Sequence, residues 1–290
     1  MFRLDQFGFR ALWSPYFFII LLLLTLLYFA FLFRHQKRVE EEGLSKRQGV
    51  LFVFSVLLLY LIKGSPLDLL GHLMFTFHMV QMALLYLLLP PLFIAAVPDW
   101  LWKRIIGLPF VKPAFRLFTK PILALVLFNG LFSFYHVPFI FDFVKTNVFY
   151  HELYTAVLFF FAIIMWWPLV NRVEEENELS GLKKIAYLIA DSILLTPACA
   201  LIIFSGKPLY QTYLSGELWV KSLHLCVPAD MLASLGPIDP EVFQIMPPLY
   251  DQQLGGVIMK VLQEIIYGSV LIYVFREWYR KETEEPDQGL

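Results

Sequence analysis

Five of the six histidines in this chain carry the chemistry worth placing first. His72, His78, His136, His151 and His224 sit on four separate segments, and His35 stands apart from them. Imidazole binds copper and zinc, while thioether and thiolate select soft Cu(I). Met74, His78 and Met82 repeat at the four-residue spacing that shares one helix face, and His72 and Met79, seven apart, are expected to share another. A Met-His-Met stripe suits Cu(I) better than Zn(II), which prefers His with Cys or carboxylate. Asp142, Glu152 and Asp251 lie at the same level along the chain's spans, and Cys226, Met231 and Met246 share one connection. Glu152 adjoins His151, so on a straight helix the two do not face each other. There is no His-Glu-x-x-His, no phosphate-binding glycine loop, no G-x-S-x-G and no C-x-x-C. A hydrolase or nucleotide enzyme therefore finds no support.

The elements that must hold these groups are membrane helices. Of 290 residues, 59% are hydrophobic and only 16% charged, where a soluble domain has about 45–50% apolar and about 25% charged residues. A net charge of -1 offers no field for nucleic acid. Two cysteines, Cys199 and Cys226, exclude a disulfide scaffold. Seven apolar runs read as spans: 16–33, 49–62, 72–97, 121–135, 149–170, 182–204 and 254–275. The second and fourth are short and borrow flanking residues. Pro90-Pro91 is expected to kink or break the third. Continuous runs exclude a barrel. The expected fold is thus all-α, a bundle of seven transmembrane helices in a single integral membrane domain covering 1–290.

Sixteen of the 23 Lys and Arg fall in segments 34–48, 98–120, 171–184 and the tail from Arg276, against six on the other side. The positive-inside rule then puts the N-terminus outside, the C-terminus in the cytoplasm, and the five histidines at the outer face. The acidic blocks Glu40–Glu42 and Glu174–Glu176 read as solvated loops. One connection is long, 205–253, and its Pro and aromatic content fits a lid on the outer interface. Asp251 either caps its own helix or orients a ligand. Gly255-Gly256 permits close helix packing, and Lys260 with Glu264 reads as an ion pair inside the last span.

Several pieces together resemble one family. They are Phe7-Gly-Phe-Arg-Ala-Leu-Trp-Ser-Pro15, His78-Met-Val-Gln81 running to Pro90-Pro91-Leu92, and His136-Val-Pro138 with Asp142. To these belong His151 followed by Trp166-Trp167-Pro168, and Asp251-Gln-Gln-Leu-Gly-Gly-Val-Ile-Met259. Spread in order over the chain, they resemble the CtaG family of cytochrome c oxidase assembly factors, the polytopic Gram-positive type. The resemblance implies a non-enzymatic, multi-pass protein of the bacterial cell membrane that matures a caa-type haem-copper oxidase, with formation of the CuB centre as its step. Where many relatives carry further histidines, this chain has Met82 and Thr155.

On that basis the expected metal ligands are His78, His136 and His151, assisted by His72, Met82 or Met79. Asp251 is expected to orient a ligand from behind. His72 fits an interfacial cap as well as a ligand, and His136 fits a helix-end cap. Copper is the expected transient cofactor. The expected partners are cytochrome c oxidase subunits, copper-donor proteins and the lipid bilayer, with no nucleic acid. A metal-free scaffold for oxidase subunits and a copper transporter are the alternative readings.

Overall fold

A computed structural model describes residues 4–39, 44–173, 179, 181–235 and 240–284. The two acidic blocks, 40–42 and 174–176, lie outside the described residues. Among the described residues the chain is helical throughout. A short α1 (Gly8–Trp13) leads into α2 (Pro15–Val39), which is almost wholly turned outward, packing chiefly on α3 (Lys46–Lys63). Ser45 and Gln48 close a capping box at the start of α3. Six helices of the described residues are long and apolar enough to cross a membrane, with a seventh when one bent pair is counted. This is a multi-pass membrane protein, as composition required.

The second span runs on through α4 (Pro66–Leu73), so it covers Lys46–Leu73. The chain then reverses at Met74, which is fully extended (φ −139°, ψ 139°), and α5 (Phe75–Ala83) packs back along α4. The third span thus begins at Phe75, not at His72. His72 and Met79 do not share a helix face, because a chain reversal lies between them.

Pro90 and Pro91 do not break the third span. A π turn at Leu84–Leu88 carries α5 into α6 (Leu89–Ala96), and the prolines occupy the first positions of α6. Pro90 has no N–H for the carbonyl four residues back, that of Tyr86. Trp166 Nε1–H donates to that carbonyl at 3.1 Å instead. In lipid a freed carbonyl must find such a partner.

Two short helices, α7 (Asp99–Ile106) and α8 (Val111–Phe118), lead to α9 (Pro121–Tyr135). α8 meets α9 at 81°. α9 alone rises about 22 Å, short of the hydrocarbon core of about 30 Å. α10 (Pro138–Lys145) turns across the end of the bundle before α11 (Val148–Val170) and α12 (Leu182–Ile203). Segment 205–253 carries α13 (Gly216–Leu223) and α14 (Ala229–Leu235), and α15 (Pro248–Glu284) closes the chain.

Among the described residues there are two apolar cores. The larger lies between α5, α6, α9, α11, α12 and α15, with Trp166, Trp167, Phe128 and Phe132 fully buried. The smaller joins Phe7 and Ala11 to Leu69, Leu73 and Met74, and to Trp219, Leu223, Val227 and Phe243 of the long connection. That connection is therefore a folded cap with its own core. Gly255 and Gly256 are positions of close approach. A Cβ on Gly255 would lie 3.1 Å from Thr76 Cα, and one on Gly256 would lie 2.7 Å from Ile203 Cγ1.

Candidate metal centre

The reversal at Met74 leaves the first amides of α5 without helical partners. Asp251, in the first turn of α15, supplies them. Its Oδ2 accepts from Phe75 N–H at 2.7 Å and its Oδ1 from Thr76 N–H at 3.2 Å, while Thr76 Oγ1 donates to the Asp251 carbonyl at 2.9 Å. Asp251 thus caps a helix 175 residues away in sequence. It caps neither its own helix nor a histidine, and it reaches His78 only by fixing the start of α5.

His78 stands one turn into α5, and His136 closes α9. Their ring centroids are 6.1 Å apart. His136 Nδ1 lies 2.8 Å from the Phe132 carbonyl. A carbonyl only accepts, so Nδ1 carries the proton and Nε2 presents a bare lone pair. Burial holds the His136 imidazolium down to about 4, opposed in part by that carbonyl, so the ring is neutral at ordinary pH. His136 Nε2 has no partner, and neither ring nitrogen of His78 has one. Around the pair stand Phe75, Tyr135 and Phe141, and the Tyr135 hydroxyl is likewise unpartnered.

His72 and His151 form a second pair, with ring centroids 6.0 Å apart. His151 Nδ1 is 3.6 Å from Glu152 Oε1, too long for a hydrogen bond, and is otherwise unpartnered. His72 is differently occupied. Lys145, at the end of α10, brings Nζ to 3.2 Å from His72 Nδ1 and donates to the Gly71 carbonyl at 3.3 Å. Burial and the nearby Lys63 charge push the Lys145 ammonium down to about 7. All four histidines are between 1% and 4% exposed.

A polar network adjoins His72. Asp68 takes Lys63 Nζ at 3.1 Å and Gln81 Nε2 at 2.6 Å, and Gln81 also donates to the Ile62 carbonyl. Ligand atoms of Asp68, His72 and Cys226 all fall within 4.8 Å of one another. Lys63 and Lys145 oppose a further cation at this trio, and burial pushes the Cys226 thiol well up, away from thiolate.

The cap roofs the histidines. Asp142 on α10 accepts from Gln211 N–H, Thr212 N–H and Thr212 Oγ1 at 2.6–3.0 Å. That anchor drops Tyr210 and Tyr213 into the larger core. Tyr210 stacks on Phe75 at 4.6 Å and donates to the His136 carbonyl, and Tyr213 donates to the Gly71 carbonyl. Burial keeps both phenols protonated.

The remaining expected residues divide. Met82 lies one turn on from His78 and is buried. Met79 points to α15, with its Cγ 3.2 Å from where a Cβ on Gly255 would stand. His224 is exposed, and His35 stacks on Trp100 at 4.1 Å. Lys260 pairs with Glu264 at 3.0 Å and also reaches Thr196 and Gln263, along the seam with α12. Asp191 accepts from Asn129 and Tyr267, both at 2.5 Å, deep in the bundle. Lys63, Asp68 and Lys145 belong to no motif in the sequence. The four-residue spacing of Asp68 and His72 was the available signal.

No curated protein and no solved structure matches the chain. A family model described as cytochrome c oxidase caa3 assembly factor matches residues 26–281, which take in every histidine, the capping Asp251 and the cap over them. The chain belongs to the Caa3_CtaG family of cytochrome c oxidase caa3 assembly factors.

Proposed function

We propose that this assembly factor holds Cu(I) transiently between His78 and His136 and passes it on for CuB-site formation in the oxidase. The observation that carries the reading is the set of unpartnered ring nitrogens: both of His78, one of which bears its proton, and Nε2 of His136, all buried. A buried donor or acceptor left unsatisfied costs about 1–3 kcal/mol and calls for an explanation. A centroid separation of 6.1 Å leaves room for one ion with bonds of about 2 Å to each ring. His136 already makes the hydrogen bond through Nδ1 that metal-bound histidines commonly make. Met82 adds a thioether on the His78 face, and His151, whose Nδ1 makes no hydrogen bond, offers a further donor, while His72 is held by Lys145.

The charge of the site favours a monovalent ion. Neutral imidazoles and a thioether surround it, and desolvating a divalent ion there costs far more than desolvating Cu(I). On this reading the chain's residues bind, exclude water and release, and the assembly-factor family supports a non-catalytic role. Its partners are oxidase subunits and a copper donor.

The test is Cu(I) titration of the purified protein against a competing chelator, beside a His78→Ala/His136→Ala variant. The expected result is tight binding that falls at least about a hundredfold in the variant. Equal binding in both proteins would overturn the site. A metal-free scaffold is the second reading, and the outward-facing α2, which packs chiefly on α3, favours it. The two separate in cells. On the copper reading the double variant still co-purifies with oxidase subunits but yields copper-deficient oxidase; on the scaffold reading its oxidase is fully metallated.

A further inference from the structure

At the end of the bundle opposite the histidines, α3 begins, α11 ends and α15 leaves the core. Arg47 lies in the first turn of α3, Arg172 follows α11, and Arg276 and Arg280 stand on the last turns of α15. With Tyr273 and Glu277 they line a cavity of about 510 Å³. Among the described residues the lining thus holds four guanidinium groups and one carboxylate. Among the described residues, no ion pair engages Arg47, Arg172 or Arg276.

A second cavity of about 420 Å³ shares Arg47, Arg172 and Tyr273 with the first. It continues away from them along α15, and apart from Ser269 its remaining lining is apolar, including Leu51, Leu88, Leu92, Ile265 and Val270. It exists because α3 and α15 both pack on the π turn between α5 and α6, leaving a gap between themselves. The groove runs from Tyr273 back to Leu262, a rise of about 16 Å, which is about half the hydrocarbon thickness.

We propose that this composite cavity binds one anionic phospholipid, with the phosphate on the arginines and an acyl chain in the groove. Guanidinium forks match phosphate oxygens in pairs, and basic pockets between membrane helices recognise such headgroups. A free phosphate would satisfy the arginines and leave the groove unexplained. A zwitterionic lipid would fill the groove and leave the positive excess uncompensated. Only an anionic lipid answers both halves of the cavity.

Native mass spectrometry of the full chain in detergent micelles tests this, with phosphatidylglycerol and phosphatidylcholine added in turn. The wild type should retain one phosphatidylglycerol in preference to phosphatidylcholine. Arg172→Gln/Arg276→Gln should lose that preference by about fivefold for each arginine removed. Ala95→Phe, which fills the groove, should lose the lipid while both arginines remain. Equal retention of the two lipids, or retention unchanged in the arginine variant, overturns the proposal. So does displacement of the lipid by millimolar inorganic phosphate, which would mark a free-anion site. Both arginines are exposed, so their replacement leaves the core intact; circular dichroism of each variant verifies this, and if Ala95→Phe does not fold, the arginine arm and the phosphate arm decide.

Discussion

His78 is the residue on which function and stability pull apart most clearly. Its ring is enclosed by Phe75, Tyr135, His136 and Phe141, and neither nitrogen has a partner. In the metal-free protein that ring costs about 1–3 kcal/mol relative to an apolar group of like size. His78→Leu should therefore raise the melting temperature of the apo protein while abolishing Cu(I) binding. Calorimetry of the two apo proteins in one detergent checks it, and a fall in stability would make His78 a structural group instead. The histidines were visible in sequence because a buried imidazole in a membrane span is rare. Their rotation was not. Spacing put Met79 and His72 on one face, but a chain reversal at Met74 separates them, and Met79 fits against Gly255. Met74 itself is neither proline nor glycine, and Gly71, which lets α5 lie close, reads in sequence as an ordinary helix position. The reversal depends on Asp251, and a contact across 175 residues leaves no local pattern.

Helix ends and interruptions in this bundle are satisfied by other helices. α5 starts on the carboxylate of Asp251, and hydrogen bonds to a charged group contribute about 1.5–3 kcal/mol each. Asp251→Ala should lower stability by about 2–4 kcal/mol. It should also speed hydrogen exchange at Phe75–Met79 and weaken Cu(I) binding, because His78 rides on that turn. Normal exchange in that turn would show that the cap is dispensable. The proline pair poses the same problem further along. Trp166→Phe keeps the ring packing and removes the N–H that serves the Tyr86 carbonyl. A loss of about 1–3 kcal/mol is expected by thermal unfolding, with no change in copper affinity. All seven spans were legible as apolar runs, six as single helices and 121–135 as the longer arm of the bent pair. The α8–α9 bend and the survival of the third span through Pro90-Pro91 were not, since each depends on partners from other helices.

For the whole molecule, the histidines lie under a roof. The bundle closes them from below, and Tyr210 and Tyr213 of the cap close them from above. On the copper reading, the apolar lining and positive mouth of the groove at the far end oppose the passage of a cation there. A shift of the cap is then the route the roof leaves, and Asp142 pins it near the site beside the hydrogen bonds of Tyr210 and Tyr213. Its three hydrogen bonds come from two consecutive residues of the connection, Gln211 and Thr212. Asp142→Ala removes them without touching a ligand nitrogen. If the loss is about 1.5–3 kcal/mol, the open population rises roughly tenfold to a hundredfold. Opening precedes both capture and release, so both rates rise together and the equilibrium affinity moves little. Stopped-flow transfer of Cu(I) to a chelator would read the release rate, and titration the affinity. Faster release at unchanged affinity makes the cap the gate. An unchanged release rate would instead place the exit on the side of Asp68 and Cys226, beneath α13 and α14, and leave Asp142 as an anchor alone.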